Sequence, residues 1–234
     1  MKTIGIVGGV AWPSSIEYYR IINQEVARRL GGSGRHCAKL VLAQTDFDTI
    51  KQHQLAGNWD EVGRLLSEQA NKLKIAGADF FIIACNTVHT AIDRVEAAVD
   101  LPYIHIVDPA AQQAVKGGAK RVGLLGSGYT MRGSYFVGRL KERYGLEVLV
   151  AEGEHEANVH NALYDELTKG IFRPETREKF KAALADLTLR GAEAIILGCT
   201  EFGILVRPED CPVPMIDTVA AHAHAAVDMA LQAD

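Results

Sequence analysis

Gly77-Ala-Asp-Phe-Phe-Ile-Ile-Ala-Cys85 decides the fold, because the chain writes it again as Gly191-Ala-Glu-Ala-Ile-Ile-Leu-Gly-Cys199. In each copy a glycine able to end a helix leads into an unbroken apolar run, the pattern of a strand buried in a parallel sheet. The cysteine stands eight residues after the glycine both times. Upstream, Lys2-Thr-Ile-Gly-Ile-Val-Gly8 is matched by Lys120-Arg-Val-Gly-Leu-Leu-Gly126. Each is followed by a polar loop and an aromatic pair, Tyr18-Tyr19 or Tyr135-Phe136. Downstream, Pro102-Tyr-Ile-His-Ile-Val-Asp108 pairs with Pro212-Val-Pro-Met-Ile-Asp217. Three matches in one order mark an internal duplication.

Strands alternating with helical segments along the whole length give an α/β class. The expected architecture is two pseudo-symmetric open parallel-sheet domains with helices on both faces and the active site in the cleft between them. Ser14-Ser-Ile-Glu17 has the form of a capping box and predicts a helix over 15–30, stopped by Gly31. Asn58 is expected to cap a second helix running to Gly77, with a strand over 80–84 following at once. Residues 175–190, ending at Gly191, repeat that arrangement. The boundary falls near 105–109. The first domain takes 1–105 plus 213–234 and carries Cys85; the second takes 106–212 and carries Cys199.

Composition narrows the function classes. With 48% hydrophobic and 23% charged residues the chain is ordinary for a globular protein. Its formal charge of −4 and scattered Lys and Arg argue against nucleic acid as a partner. No apolar run reaches the length of a membrane span, so no membrane partner is expected. The apolar N-terminus is short and Gly-broken and reads as a first strand rather than a signal peptide. The expected location is the cytoplasm, where the four cysteines stay reduced.

None of those cysteines forms a C-x-x-C pair, so a zinc ribbon or thioredoxin-like site is not suggested. A single cysteine at a strand end is more often a small core residue than a catalyst, and Cys37 and Cys211 are read that way. Cys85 and Cys199 differ, because they occupy matching positions of a duplicated unit at the carboxyl ends of strands, where open parallel sheets bind ligands. Two thiols reaching one cleft from opposite walls suit inversion of a carbon centre, one thiolate taking a proton while one thiol gives one. The carbanion needs stabilising by many kcal/mol. Helix N-termini aimed at a carboxylate are the available means. Asn86, Thr87, Thr200, Ser14 and Ser15 are placed to extend such a cradle.

The stretches Cys85-Asn-Thr-Val-His89 and Gly198-Cys-Thr-Glu201, with Gly8-Gly9, Ser14-Ser15 and Tyr18-Tyr19, resemble the aspartate/glutamate racemase family over essentially the whole chain. That resemblance implies a cofactor-independent racemase acting on an amino acid, with neither pyridoxal phosphate nor metal, usually as a homodimer. Cys199 would handle the L-enantiomer and Cys85 the D-enantiomer. Glu201 after Cys-Thr is similar to the aspartate-type branch, where glutamate racemases typically carry His, and it joins the substrate-binding set. For the distal carboxylate Lys169 and Lys51 are candidates by spacing, with Gln54 an equally open polar contact. A solvated surface role fits both lysines as well.

Other features have plainer readings beside functional ones. Gly5-Ile-Val-Gly8-Gly9 does not meet the dinucleotide fingerprint. Gly126-Ser-Gly-Tyr-Thr130 reads equally as a strand-to-helix turn or an anion cradle using the Thr130 hydroxyl. His89, one turn beyond Cys85, either tunes that thiol or holds the helix start. His222 and His224 lie two apart on a helix, on different faces, which disfavours a shared metal. The charged stretches 139–143 and 173–181 read as solvated helix faces. Two alternatives stay open: a thiol-dependent isomerase or decarboxylase on the same scaffold, and a non-catalytic two-lobed protein that binds a small anion.

Overall fold

The computed structural model describes residues 1–232 and divides into two compact units, 1–106 with 222 onward, and 107–221. In the first unit β1 (Ile4–Gly8), α1 (Trp12–Leu30), β2 (Leu40–Gln44), α2 (Phe47–Leu55), α3 (Trp59–Ile75), β3 (Phe80–Ile83) and α4 (Ile92–Ala98) follow in order. The strands form a three-stranded parallel sheet, β2-β1-β3. Every residue of β1 and β3 is buried, as expected of a strand covered on both faces.

The second unit begins with α5 (Val107–Lys116), followed by β4 (Arg121–Gly126), α6 (Gly128–Arg132), α7 (Arg139–Tyr144), β5 (Glu147–Val150) and α8 (Gly153–Asp165). It continues with α9 (Pro174–Leu189), β6 (Ala194–Gly198), α10 (Phe202–Leu205), β7 (Met215–Asp217) and the start of α11 (Thr218–Leu231). Its parallel sheet has the order β5-β4-β6-β7. The sequence echoes map onto it: β1 answers β4 and β3 answers β6. Where β7 pairs with β6, the first unit has only the bridge Phe81↔Tyr103.

Local chemistry explains most element ends. Asn58 caps α3 through Glu61 N at 3.3 Å. Asp60 and Glu61 lie in its first turn and Lys72 and Lys74 in its last, each favoured by the helix dipole. Val62, Leu66, Ala70 and Leu73 form its fully buried stripe, each leucine contributing about 2 kcal/mol.

The start of α1 differs from expectation. It begins at Trp12 with Pro13 in the first turn, and no side chain caps it. Ser14 and Ser15 are already helical and buried. Ser15 does not complete a capping box; its Oγ accepts from Gly9 N at 3.0 Å. Gly9 has φ 79°, and a Cβ there would lie 2.1 Å from Thr45 O, so the loop crosses the end of β2 where only glycine fits.

Three further expectations change. Residues 213–221, expected in the first domain, lie in the second unit, because Met215–Asp217 adds a strand beside β6. The first division falls after Ile106 and the second inside α11, after Ala221. The charged stretches are not wholly solvated: Arg139 forks onto Asp108 at 2.6 and 2.7 Å, clamping α7 to α5. Arg177 does the same to Asp210 at 2.9 and 3.0 Å. Cys37 is exposed, so it is not core, whereas Cys211 is buried. No helix among the described residues is long and apolar enough to cross a membrane.

Candidate active site: two thiols at equivalent strand ends

β3 ends at Ile83, and the chain turns through Ala84 to Cys85, whose N–H donates to Ile83 O at 2.8 Å. A tight turn over Thr87–Ala91 follows. β6 ends at Gly198, and Cys199 comes next, ahead of the short α10. Both cysteines are half-buried thiols. Each stands at the carboxyl end of its sheet, and each is followed by polar residues whose backbone turns away from the strand direction. The duplication therefore delivers a thiol to the same place in both units.

Beside the end of β3 lies the end of β1, which leads through Gly8 and Gly9 to Ser14 and Ser15 in α1, and Asn86 and Thr87 follow Cys85 directly. Ser15 lies over Gly8, where a Cβ would sit 2.7 Å from its Oγ. Asn86 is buried at 3% exposure, and Thr87 is half-buried. The N-terminus of α1 has no side-chain cap and no acidic residue in its first turn, so its positive end is not neutralised locally. Gln54 is buried on α2, the helix leaving the same sheet edge from β2, and Lys51 beside it is half-buried.

Around Cys199 the second unit places Thr130, Thr200 and Glu201, all buried. Cys199 Sγ donates to Glu201 Oε2 at 3.1 Å, and Thr200 Oγ1 donates to the same oxygen at 2.5 Å. Thr130 packs on the ends of β4 and β6: a Cβ on Gly126 would meet it at 2.8 Å and one on Gly198 at 3.0 Å. Its hydroxyl joins Ser127 Oγ at 3.2 Å and Tyr135 OH at 2.9 Å. The Gly126–Thr130 turn is thus both a capped helix start and a cluster of three hydroxyls. Lys169 is exposed, in the turn Leu167–Lys169 after α8.

Of the two readings of His89, the contact seen is with the backbone where the turn after Cys85 begins, and spacing missed the partners around it. His89 Nδ1 contacts Cys85 O at 2.8 Å, and its ring lies 4.8 Å from His105 and 6.3 Å from His222, centroid to centroid. His222 bonds Tyr18 OH at 2.8 Å and Ile104 O at 2.9 Å. Burial, then the neighbouring His89, hold the His222 imidazole down to about 3 from its ordinary 6.5. His224 is exposed, so the two histidines do face different ways. The signal that marks His222 is its place among Ala221, Ala223, Ala226 and Val227, an apolar stripe that buries whatever it carries. Among the described residues no group of His, Cys, Asp or Glu has the arrangement of a metal site.

A family model described as Asp/Glu/Hydantoin racemase matches residues 7–226. The chain is 25% identical over 168 residues to a broad-specificity amino-acid racemase of Bacillus subtilis, covering 72% of each. A Yersinia pestis protein, solved as a candidate Asp/Glu racemase, shares 42% identity with a TM-score of 0.92, over 99% of this chain and 100% of that one. An aspartate racemase homologue from Pyrococcus horikoshii shares 28% identity with a TM-score of 0.85, over the same fractions.

Proposed function

The chain belongs to the Asp/Glu/Hydantoin racemase family, and on that premise we propose that it interconverts the L- and D-enantiomers of an acidic amino acid, aspartate foremost, by a two-base mechanism. The observation that carries this reading is the pair of half-buried thiols at equivalent strand ends, Cys85 after β3 and Cys199 after β6. One thiolate removes the α-proton from one face of Cα and the other thiol returns a proton to the opposite face, so the carbon inverts and the protons balance. Cys199 serves the L-enantiomer and Cys85 the D-enantiomer.

The remaining residues have roles that follow from their chemistry. The open N-terminus of α1, with Ser14 and Ser15 in its first turn, suits the substrate carboxylate, where charge grows as the carbanion forms. Asn86, Thr87, Thr130 and Thr200 add hydroxyl and amide donors. Glu201 accepts the Cys199 S–H; when Cys199 must act as base, the same carboxylate is placed to receive that proton. Glu201 in the Cys-Thr-Glu stretch and the Pyrococcus relative favour aspartate, while the Bacillus relative favours a broad range. Gln54 and Lys51 on α2 are the proposed distal contacts, ahead of the exposed Lys169. The reaction needs neither pyridoxal phosphate nor metal in this scheme, and the working form is taken as a cytoplasmic homodimer.

The test is a chiral assay of purified protein against a panel of L-amino acids without added cofactor, run in deuterated water. Inversion with deuterium entering Cα and no carbon dioxide released is the expected result. Cys85→Ala and Cys199→Ala should each lower turnover at least about a thousandfold. Carbon dioxide release would replace racemisation by decarboxylation. Ligand binding without turnover, unchanged in both variants, would leave only a binding protein.

A further inference from the structure

Behind Cys85 lies a buried network that the two-base scheme does not use: His89, His105, His222 and Tyr18, each no more than 2% exposed. Its hydrogen bonds fix the protonation pattern. Ile106 N donates to His89 Nε2 at 3.4 Å, and a backbone N–H can only donate, so Nε2 carries no proton. Nδ1 is therefore the ring nitrogen placed to donate, and it faces Cys85 O, 2.8 Å away. In the same way His222 Nε2 donates to Ile104 O at 2.9 Å, which leaves Nδ1 to accept from Tyr18 OH at 2.8 Å. Burial keeps His222 neutral over the working pH range. The two rings thus grip the backbone at residues 104 and 106 and, through His89, the carbonyl of Cys85.

We propose that His89 is a positioning residue for Cys85, orienting the Cys85–Asn86 peptide rather than exchanging protons with substrate. This rests on the racemase reading above. A trans peptide is planar, with C=O and N–H pointing opposite ways. Holding the Cys85 carbonyl toward His89 consequently turns the Asn86 N–H to the other side of the strand end. One hydrogen bond then sets both the Cα–Cβ direction of the thiol-bearing residue and the aim of the adjacent amide. Tyr18 and His222 brace the segment against which His89 is seated.

The test compares His89→Leu and His89→Asn in aspartate racemisation, with kcat, KM, pH profile and thermal midpoint measured for each. The asparagine amide nitrogen overlays Nδ1 and can still donate to Cys85 O; leucine cannot donate. Misplacing a reacting group by about an ångström costs on the order of a hundredfold. His89→Leu should lose about that much kcat with KM nearly unchanged, and His89→Asn should recover to within about fivefold of wild type, with both limbs of the pH profile kept. Should His89→Leu not fold, His89→Asn alone decides. A hundredfold loss there, or a missing pH limb, overturns positioning in favour of acid–base chemistry. Full kcat in His89→Leu, or losses in both variants that track only the thermal midpoint, overturns it as well while leaving the racemase intact. Wild-type protein that racemises nothing overturns the functional reading and the positioning role together.

Discussion

At the level of single side chains, Cys85 and Cys199 differ in what lies beside them: a backbone grip from His89 for the first, a buried carboxylate for the second. A carboxylate that accepts from a thiol favours the thiol over the thiolate, since a second negative charge beside it is repelled. Glu201→Gln replaces the acceptor of the Cys199 S–H with a neutral amide, so Cys199 should react faster with an electrophile. The check is the rate of alkylation by iodoacetamide at the Cys199 peptide, read by mass spectrometry; an unchanged rate refutes the coupling. His222 makes a second residue-level prediction. Its folded value near 3 lies below the ordinary 6.5, so between those values the unfolded chain binds a proton that the folded chain refuses. Stability is full above pH 6.5 and falls by about 1.4 kcal/mol per unit as pH drops toward 3. Urea midpoints at pH 7 and 5 should show that slope, and His222→Gln should flatten it.

Among the elements, legibility followed how local the deciding physics was. α3 was readable because its cap, its dipole-matched charges and its buried stripe all lie within its own span. Asn58→Ala should cost about 1 kcal/mol in urea unfolding, and Asn58→Asp close to nothing. α1 misled, because Ser14-Ser-Ile-Glu17 has the composition of a cap while Ser15 is engaged by Gly9 across the loop, a partner that helical spacing does not contain. β1, β3 and β6 announce themselves by unbroken burial, and β4 by burial from Val122 onward, whereas the edge strand β2 is half exposed and alternates weakly. The site divides the same way. The strand-end positions of both cysteines were readable from the duplication, and the position of Thr130 from its turn. The His89–His222–Tyr18 network was not, since residues 18, 89 and 222 meet only after folding.

For the whole molecule, the sequence repeat and the compact units do not coincide. α5 closes the first repeat yet packs in the second unit, locked by the Asp108–Arg139 fork. α11 closes the second repeat, and from His222 onward it lies in the first unit, with Lys2 N bonded to Ala230 O at 2.9 Å. Each seating depends on contacts made across the length of the chain rather than within the helix. Asp108→Ala should therefore loosen α5, lowering stability by about 2–3 kcal/mol through the stranded, partly buried Arg139. Calorimetry would show it.

Each repeat thus lends its closing helix to the other. A gene cut between residues 117 and 118 would yield two fragments that are each short of one helix and burdened with another. Neither should give a native circular dichroism spectrum alone, and mixing should restore it. A single repeat of this kind, standing alone, would carry a closing helix whose seat it lacks, and could bury that helix only by exchanging it with a second copy.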